Sequence, residues 1–259
     1  MNERLLQEAF SSLPLGGLRY FDSIGSTNNE ASTWVSQGAF DLSLIVANEQ
    51  TAGRGRSRRR WFTPSDSALA FSLILRPTAA ELTYAARITG LGALALVDSL
   101  RAFGLLPKIK WPNDVLINGR KIAGILVETV WSDDALVASV LGMGVNVLNA
   151  STPPAEEMLY PATSIEMELE RPLERANLLK AILLSLLKWR NKLGENEFML
   201  AWGEALAFHG EQVQIMDDQR KLLTGELKGL EPDGSLIIRT PDGKLQGIQF
   251  GEIHLRPAL

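Results

Sequence analysis

The spacing of apolar positions predicts a chain that mixes helices and strands. Short apolar runs, alternating or continuous, indicate strands, because strand side chains alternate between two faces and buried strands are apolar throughout. A stripe of leucines and isoleucines between 178 and 187 has helical spacing, and a longer apolar segment ends at Gly104. We therefore predict strands at 42–49, 69–73, 109–111, 125–130 and 135–147, and helices at 28–37, 78–103 and around 178–187.

Three local signals place the ends of these elements. Thr27 with Glu30, and likewise Thr78 with Glu81, have the spacing of a capping box, in which two side chains bind the first backbone N–H groups of a helix. Asn118-Gly119 lies between two apolar runs, and this dipeptide favours a type I′ turn. The sequence therefore predicts two helix starts and one tight hairpin across 115–122.

The pattern changes after Gly210. Short predicted strands at 213–216, 222–230, 236–239 and 246–248 are separated by turns rich in aspartate and glycine. This texture is typical of a small β-barrel, whereas the preceding part combines an open sheet with helices. We predict an α+β protein with one domain at 1–209 and a small β domain at 210–259.

Composition limits the chemistry that is open to the chain. Of the 259 residues, 46% are hydrophobic and 22% are charged, which is typical of a globular protein. The absence of cysteine excludes disulfides and thiolate catalysis, and two histidines, His209 and His254, exclude a multi-histidine metal site. A formal net charge of −4 argues against general nucleic-acid binding. The sequence shows no signal-peptide or membrane-spanning pattern, so we expect a cytoplasmic protein.

Residues 53–61, which we call the arginine loop, form the most unusual segment of the sequence. Five arginines fall within residues 54–60, with Gly53 before them, Gly55 among them and Trp61 after them. Arginine binds phosphate and carboxylate oxygens bidentately, and tryptophan stacks on a nucleotide base. A solvated basic loop is the ordinary alternative, since runs of charge usually face solvent.

Four further segments combine polar residues with residues that shape the backbone. Each also has an ordinary structural explanation: a helix cap, a strand-to-turn transition, an exposed lysine at a strand end, and glycines that admit a tightly packed helix. The segments are Ser26-Thr27-Asn28, Lys110-Trp111-Pro112-Asn113-Asp114, Lys121-Ile122-Ala123-Gly124-Ile125-Leu126-Val127-Glu128 and Gly142-Met143-Gly144-Val145-Asn146.

Taken together and in this order, these segments resemble the biotin–protein ligase family. The closing segment, Gly251-Glu252-Ile253-His254-Leu255-Arg256-Pro257, is similar to the end of that family's C-terminal domain. The resemblance extends from Tyr20 to Pro257, and the ordered set is far more specific than any single motif. It implies a mixed or antiparallel sheet backed by helices, as in class II synthetases, followed by a small SH3-like β-barrel.

The resemblance implies a two-step reaction that consumes ATP. Biotin is first converted to biotinyl-5′-AMP, and a lysine of a biotin carboxyl carrier domain then takes up the biotinyl group. Mg²⁺ is expected to bind mainly through the ATP phosphates, with no certain protein ligand. No DNA or membrane partner is expected, and a homodimer is left open.

Residue roles are also carried over from the resemblance. Catalytic roles fall to Lys121, Arg56 and Asp114, where Asp114 either accepts the proton of the carrier lysine or only holds its loop in place. The expected biotin contacts are Ser26, Thr27, Asn28, Gln50, Gly53, Arg54, Gly55, Arg56, Lys121, Gly142 and Gly144. The expected ATP contacts are Arg56, Arg59, Trp61, Asn113, Lys121 and Asn146.

The chain departs from the family pattern at two places. The family usually has a glycine between the loop arginines where this chain has Arg58, so the assignments of Arg58, Arg59 and Arg60 are less secure than those of Arg54 and Arg56. Some family members also carry an N-terminal helix-turn-helix domain. Roughly twenty residues before the resemblance begins are too few for such a domain, so repressor activity is not expected.

Three alternative functions stay open at this point. A lipoate–protein ligase shares the fold and the adenylate chemistry, although the arginine loop and the Lys110–Asp114 segment favour biotin. A nucleic-acid-binding protein could use the basic loop and the small β domain. A catalytically inactive interaction module would result if Arg58 disables the loop.

Overall fold

The computed structural model describes residues 1–154, 160–217, 220–249 and 253–257. Two residues of the family-like closing segment, Gly251 and Glu252, therefore lie outside the described residues, as does the side chain of Arg58. In the described part of the chain, no helix has both the length and the apolar character needed to cross a membrane.

A seven-stranded mixed sheet forms the centre of the larger part of the protein. Its strand order is β1-β2-β3-β7-β6-β5-β4; β1 and β2 are parallel, and every other neighbouring pair is antiparallel. The strands are β1 (Gly17–Ile24), β2 (Ser43–Gln50), β3 (Ala68–Leu75), β4 (Lys108–Lys110), β5 (Asp114–Ile117), β6 (Arg120–Ser132) and β7 (Ala135–Asn146).

Helices cover both faces of this sheet. The helices are α1 (Glu3–Phe10), α2 (Thr27–Ser36), α3 (Ala79–Leu82), α4 (Ile88–Ala102), α5 (Ile165–Leu169), α6 (Arg175–Arg190) and α7 (Asn196–Ala205). The apolar helix α4 packs against α6, α7 and the central strands and forms the main core. The predicted helical stripe at 178–187 is confirmed, since it lies in α6. On the opposite face, α2 packs on β2, β3 and β7 around a smaller apolar cluster. This second face carries the candidate site.

The C-terminal strands form a separate five-stranded antiparallel sheet. Its order is β11-β10-β9-β8-β12, with β8 (Gln212–Asp217), β9 (Arg220–Leu230), β10 (Leu236–Arg239), β11 (Leu245–Ile248) and β12 (Ile253–Pro257). Its apolar side chains join the main core, and the buried Trp111 indole donates a hydrogen bond to the Gly234 carbonyl at 3.0 Å. The predicted α+β class is confirmed, and the boundary at 210 stays a prediction.

Two helix predictions are wrong in their details. Thr27 does not cap α2 with Glu30, because Ser26 holds the N-cap position and the Thr27 hydroxyl lies against Gln50 and Ser72 instead. The predicted 78–103 helix is divided into α3, a 3₁₀ turn and α4. Its capping box at Thr78 and Glu81 is confirmed. The break occurs where Arg87 is held by the carbonyls of Pro232 and Leu193.

The strand predictions differ from the structure mainly at the strand ends. The Asn118-Gly119 turn is confirmed, with φ of 50° and 71°. All eight residues of β3 are buried, because both of its faces are covered. The 42–49 strand begins at Ser43, since Leu42 has a left-handed φ of 59°. The sequence analysis did not predict α1, β1, α5, α7 or β12.

Arg190 joins α6 to the rest of the domain through a partly buried ionic cluster. Its guanidinium donates to the Glu81 Oε1 and Asp41 Oδ2 atoms, both at 2.7 Å, and to the Arg76 carbonyl at 3.1 Å. Burial raises the pKa of Glu81, but hydrogen bonds from Arg190 and the Thr78 backbone outweigh it and lower the pKa below its ordinary value of 4.5. Glu81 therefore stabilises the fold only while it is ionised.

We expect Glu81→Gln to reduce the free energy of unfolding by about 1 kcal/mol at neutral pH. A lowered folded-state pKa contributes stability that is complete above the unfolded pKa and is lost as pH falls through the folded pKa. The difference between wild type and variant should therefore shrink as urea unfolding is measured at pH values below 4.5. Glu8→Gln, at an exposed ion pair with Arg4, is the control. A difference that stays constant with pH would contradict the assignment.

Candidate functional site

A cavity of about 370 Å³ opens on the face of the sheet that carries α2. Small residues on neighbouring strands form its floor, since Gly142 and Gly144 of β7 pair with Leu126 and Gly124 of β6. Of the predicted site residues, all except Gly53 line the cavity: Ser26, Thr27, Asn28, Gln50, Arg54, Gly55, Arg56, Arg59, Trp61, Asn113, Asp114, Lys121, Gly142, Gly144 and Asn146. Its volume falls within the range of small-molecule sites.

One end of the cavity is polar and uncharged. The start of α2 places Ser26, Thr27 and Asn28 there, all nearly fully buried. The Thr27 backbone N–H and hydroxyl lie 2.9 and 3.1 Å from Gln50 Oε1. Beneath them, the Ser72 hydroxyl donates to Asn28 Oδ1 at 2.6 Å and lies 2.8 Å from Thr27 Oγ1. These groups fix a set of short donors and acceptors at this end.

Glu128 connects this uncharged end to the arginine loop. Its Oε2 atom accepts from Asn28 Nδ2 at 2.7 Å and from Arg54 Nη2 at 2.6 Å. Asn28 Nδ2 also donates to the Leu126 carbonyl at 3.3 Å. The Asn28 amide is therefore hydrogen-bonded through both its nitrogen and its oxygen.

The arginine loop folds back on itself across the cavity mouth. The Gly55 N–H donates to the Arg59 carbonyl at 2.7 Å, and the Trp61 N–H donates to the Gly53 carbonyl at 2.9 Å. Gly53 does not line the cavity. Instead it permits this close approach, since a Cβ there would lie 2.5 Å from the Trp61 carbonyl oxygen. The left-handed residue of the loop is Ser57, with φ of 53°.

The Trp61 indole lies on the cavity floor. A Cβ at Gly144 would be 2.2 Å from Trp61 Nε1, and one at Gly124 would be 3.3 Å from the same ring. Gly144 is therefore required for this position of the indole, and Gly124 lets the ring lie close to β6. Trp61 Nε1 is buried and has no hydrogen-bond partner among the described residues. Leaving such a donor unpaired costs free energy, so a polar group that binds beside it would gain an interaction.

The Lys121 ammonium is the centre of the cationic part of the cavity. Its ammonium lies 2.6 Å from Asp114 Oδ1 and 5.4 Å from the centre of the Trp61 ring. The Lys121 backbone is held on both sides by a neighbouring segment, because its N–H donates to the Pro161 carbonyl and its carbonyl accepts from the Thr163 N–H. The ammonium therefore projects from a fixed backbone.

Asn113 and Asn146 flank the cationic end. Arg56 donates to Asn113 Oδ1 at 3.4 Å, and Asn113 Nδ2 donates to the Ile125 carbonyl at 2.9 Å. Asn146 is buried and donates through Nδ2 to the Thr163 carbonyl at 3.0 Å. In both residues the amide nitrogen donates to a backbone carbonyl, and this hydrogen bond fixes the direction of the amide oxygen.

The cavity carries an excess of positive charge. Its lining includes Arg54, Arg56, Arg59, Arg60, Lys110 and Lys121, and Asp114 is the only carboxylate among its described lining residues. Arg54 is paired with Glu128 beside Asn28, which leaves the start of α2 without an uncompensated charge. Within the described ranges no group of three or more His, Asp or Glu side chains is arranged to hold a metal ion. The cavity can therefore accept an anion of high charge beside a neutral polar group.

The sequence analysis gave no role to three polar residues of this arrangement, Ser72, Glu128 and Lys110. Ser72 was the one polar residue in a predicted apolar strand, and this is the signal that could have identified it. Glu128 lay in a motif that was quoted without giving it a role. Lys110, whose ammonium lies 4.1 Å above the Tyr160 ring, lines the cavity and was likewise given no role.

Comparisons with known proteins agree with this geometry. Residues 20–146 match the biotin/lipoate A/B protein ligase family, and residues 208–256 match the biotin protein ligase C-terminal domain. The bifunctional ligase/repressor BirA of Bacillus spizizenii is 33% identical over 92% of this chain and 74% of its own length. The biotin–[acetyl-CoA-carboxylase] ligase of Paracoccus denitrificans is 35% identical over 85% of this chain and 92% of its own length.

A solved structure gives the same result for the fold. The biotin protein ligase from Aquifex aeolicus in complex with biotin and ATP matches with a TM-score of 0.80 and 27% identity, over 93% of this chain and 99% of that one. The ordered motifs, the shared fold and the likeness over nearly the whole chain lead to one conclusion: this chain belongs to the biotin protein ligase family.

Proposed function

We propose that this protein uses ATP to join biotin to a lysine of a biotin carboxyl carrier domain, with biotinyl-5′-AMP as the intermediate. The observation that carries the proposal is a single cavity with an uncharged hydrogen-bonding end beside a cationic end centred on Lys121. Biotin has a neutral ureido ring and an anionic carboxylate, and ATP brings further negative charge. The two ends of the cavity match the two kinds of group.

The uncharged end supports a role in binding the ureido ring. This ring has two N–H donors and one carbonyl, and it needs short, fixed partners in a largely buried pocket. Ser26, Thr27, Asn28 and Gln50 offer such partners, and Gly142 leaves room for the Asn28 amide among them. No ionised partner is needed for a neutral ring.

The first step must bring two anions together. A biotin carboxylate oxygen attacks the α-phosphorus of ATP, and the bond from that phosphorus to the bridging oxygen of pyrophosphate breaks. Fixed positive charge between the reactants lowers the barrier, because it needs no reorganisation as the charge redistributes. Lys121 is the proposed source of that charge at the carboxylate and bridging oxygen, together with Arg56, whereas Arg54, paired with Glu128, is proposed to contact biotin. Asp114 holds the Lys121 ammonium in place until the reactants compete for it.

The other ATP contacts follow from the positions of the remaining residues. Trp61 is proposed to cover the adenine, Arg59 and Asn113 to place the phosphates, and Asn146 to bind the base through its amide oxygen. We propose Mg²⁺ as the accompanying cation, where it would neutralise phosphate charge. Mg²⁺ commonly binds through substrate phosphates and only one or two protein carboxylates, so we propose that it binds here mainly through ATP.

The second step transfers the biotinyl group. The carrier lysine amine attacks the acyl carbon of the anhydride, AMP leaves, and the amine loses a proton. Asp114 is the proposed acceptor of that proton because it is the carboxylate of the described lining. The carrier domain is the proposed protein partner, and the cytoplasm, where ATP is abundant, is the proposed location.

Mass spectrometry of a carrier domain incubated with this protein and Mg-ATP tests the proposal. We expect one biotinyl group on one lysine when biotin is present, and no modification when lipoate replaces it. Modification of the carrier with lipoate but not with biotin would instead support the lipoate–protein ligase alternative. An unmodified carrier with either acid would refute the proposed function.

A further inference from the structure

Glu128 lies outside every role described above, although two of its contacts are among the shortest in the site. It belongs to β6, two residues beyond Leu126, and its side chain is 30% exposed. A single carboxylate oxygen, Oε2, receives hydrogen bonds from Asn28 on α2 and from Arg54 on the arginine loop. Three segments that are distant in sequence therefore meet at this atom.

The first consequence concerns the Asn28 amide. An ionised carboxylate can only accept hydrogen bonds, so Glu128 must face the amide nitrogen of Asn28. The amide oxygen is thereby directed to the Ser72 hydroxyl and toward Gly142, where a Cβ would be 2.1 Å away. Glu128 thus selects one of the two orientations that an asparagine amide can adopt.

The second consequence concerns charge along the loop. Arg54 is paired with Glu128 near the uncharged end, whereas Arg56 donates to Asn113 at the cationic end. The loop is thus attached at two points. The pairing neutralises Arg54 locally, which keeps the positive charge concentrated around Arg56 and Lys121.

We propose that Glu128 is a positioning residue for the neutral half of the substrate. It fixes the amide polarity of Asn28 and fastens Arg54 so that the arginine loop covers the uncharged end of the cavity. This inference rests on the proposed function, in which the uncharged end receives the ureido ring. It assigns to Glu128 an effect on biotin recognition, and none on the chemical step or on ATP.

A graded pair of substitutions separates the two contacts. Glu128→Gln keeps an acceptor for Asn28 but removes the charge that pairs with Arg54, so the KM for biotin should rise about fivefold. Glu128→Ala removes both contacts, and the KM for biotin should rise about fiftyfold. In both variants kcat and the KM for ATP should stay within about twofold of wild type, as measured by pyrophosphate release.

A double-mutant cycle tests whether Glu128 acts through Arg54. If it does, Glu128→Gln combined with Arg54→Gln should raise the KM for biotin no further than Arg54→Gln alone. Additive effects would overturn the proposal, as would a wild-type KM for biotin in Glu128→Ala. Equal losses in kcat, in ATP binding and in thermal stability would show a merely structural role and would also overturn it. Glu8→Gln serves as the surface control.

A ligand-free measurement separates this inference from the proposed function. Limited trypsin digestion of the protein alone should cut the Arg54–Gly55 bond faster in Glu128→Gln than in wild type, because the loop loses one attachment. If trypsin cleaves Glu128→Gln faster than wild type but wild type forms no adenylate, the attachment of the loop by Glu128 is supported and only the proposed function is refuted. Equal cleavage together with an active wild type would refute only the role of Glu128.

Discussion

Lys121→Ala should slow biotinyl-adenylate formation by about a thousandfold while the protein remains folded. Removing one preorganised charge from a water-excluded site typically costs two to three orders of magnitude, roughly 10²–10³ in rate. The loss should be at the upper end here, because Asp114 would remain as an unpaired carboxylate facing two anionic reactants. Single-turnover pyrophosphate release with saturating biotin and ATP, without carrier, measures this step alone.

Two companion variants make the Lys121 result specific. Asp114→Asn in the Lys121→Ala background removes the unpaired negative charge and should restore about tenfold of the lost rate. Lys188→Ala removes a lysine that is paired with Asp98 outside the cavity, and its rate should equal that of wild type. Pyrophosphate release at the wild-type rate in Lys121→Ala would refute the role of this lysine.

Gly142→Ala should raise the KM for biotin by about a hundredfold. The added Cβ would lie 2.1 Å from Asn28 Oδ1 and 2.8 Å from its Cγ, so Asn28 must move. Asn28 is held by Ser72, Leu126 and Glu128, and overpacking of such a fixed group costs about 1–3 kcal/mol. The KM for ATP should change much less, because the nucleotide is assigned to the other end of the cavity. Initial rates over a matrix of biotin and ATP concentrations give both constants.

The steric cause of this effect can be tested separately. In an Asn28→Ala background the clash is absent, so adding Gly142→Ala should cause no further loss. Gly203→Ala in α7 is the matched control, since no heavy atom lies within 4 Å of its added Cβ. It should leave activity unchanged and stabilise the helix by about 1 kcal/mol. An unchanged KM for biotin in Gly142→Ala would contradict the proposal that the uncharged end of the cavity binds biotin.

Short sequence motifs correctly predicted a turn and a helix start whose geometry depends only on neighbouring residues. Asn118-Gly119 forms the expected turn because both residues tolerate a positive φ, and Thr78 with Glu81 forms the expected capping box. The equivalent signal at Thr27 failed because its hydroxyl is used by Gln50, which is 23 residues away in sequence. A tertiary contact therefore replaced a local one at the position where the site is built.

The site itself was predicted as a set of residues but not as an arrangement. The family resemblance supplied a set of site residues, and all of them except Gly53 line one cavity. The resemblance gave no role to Ser72 or to Glu128, although Glu128 ends the quoted segment 121–128. Asn28, with which both interact, is 44 and 100 residues away from them in sequence. The strand register, with Ser72 opposite Gly142 and Glu128 opposite Val140, places both beside Asn28.

Direct detection of the acyl-adenylate tests the central claim. The protein is mixed with biotin, ATP and Mg²⁺ in the absence of carrier, quenched in acid, and the small molecules are identified by mass spectrometry. The account predicts biotinyl-5′-AMP in an amount close to that of the enzyme, with an equal amount of pyrophosphate. A reaction that yields neither product, although the protein is folded, would contradict it.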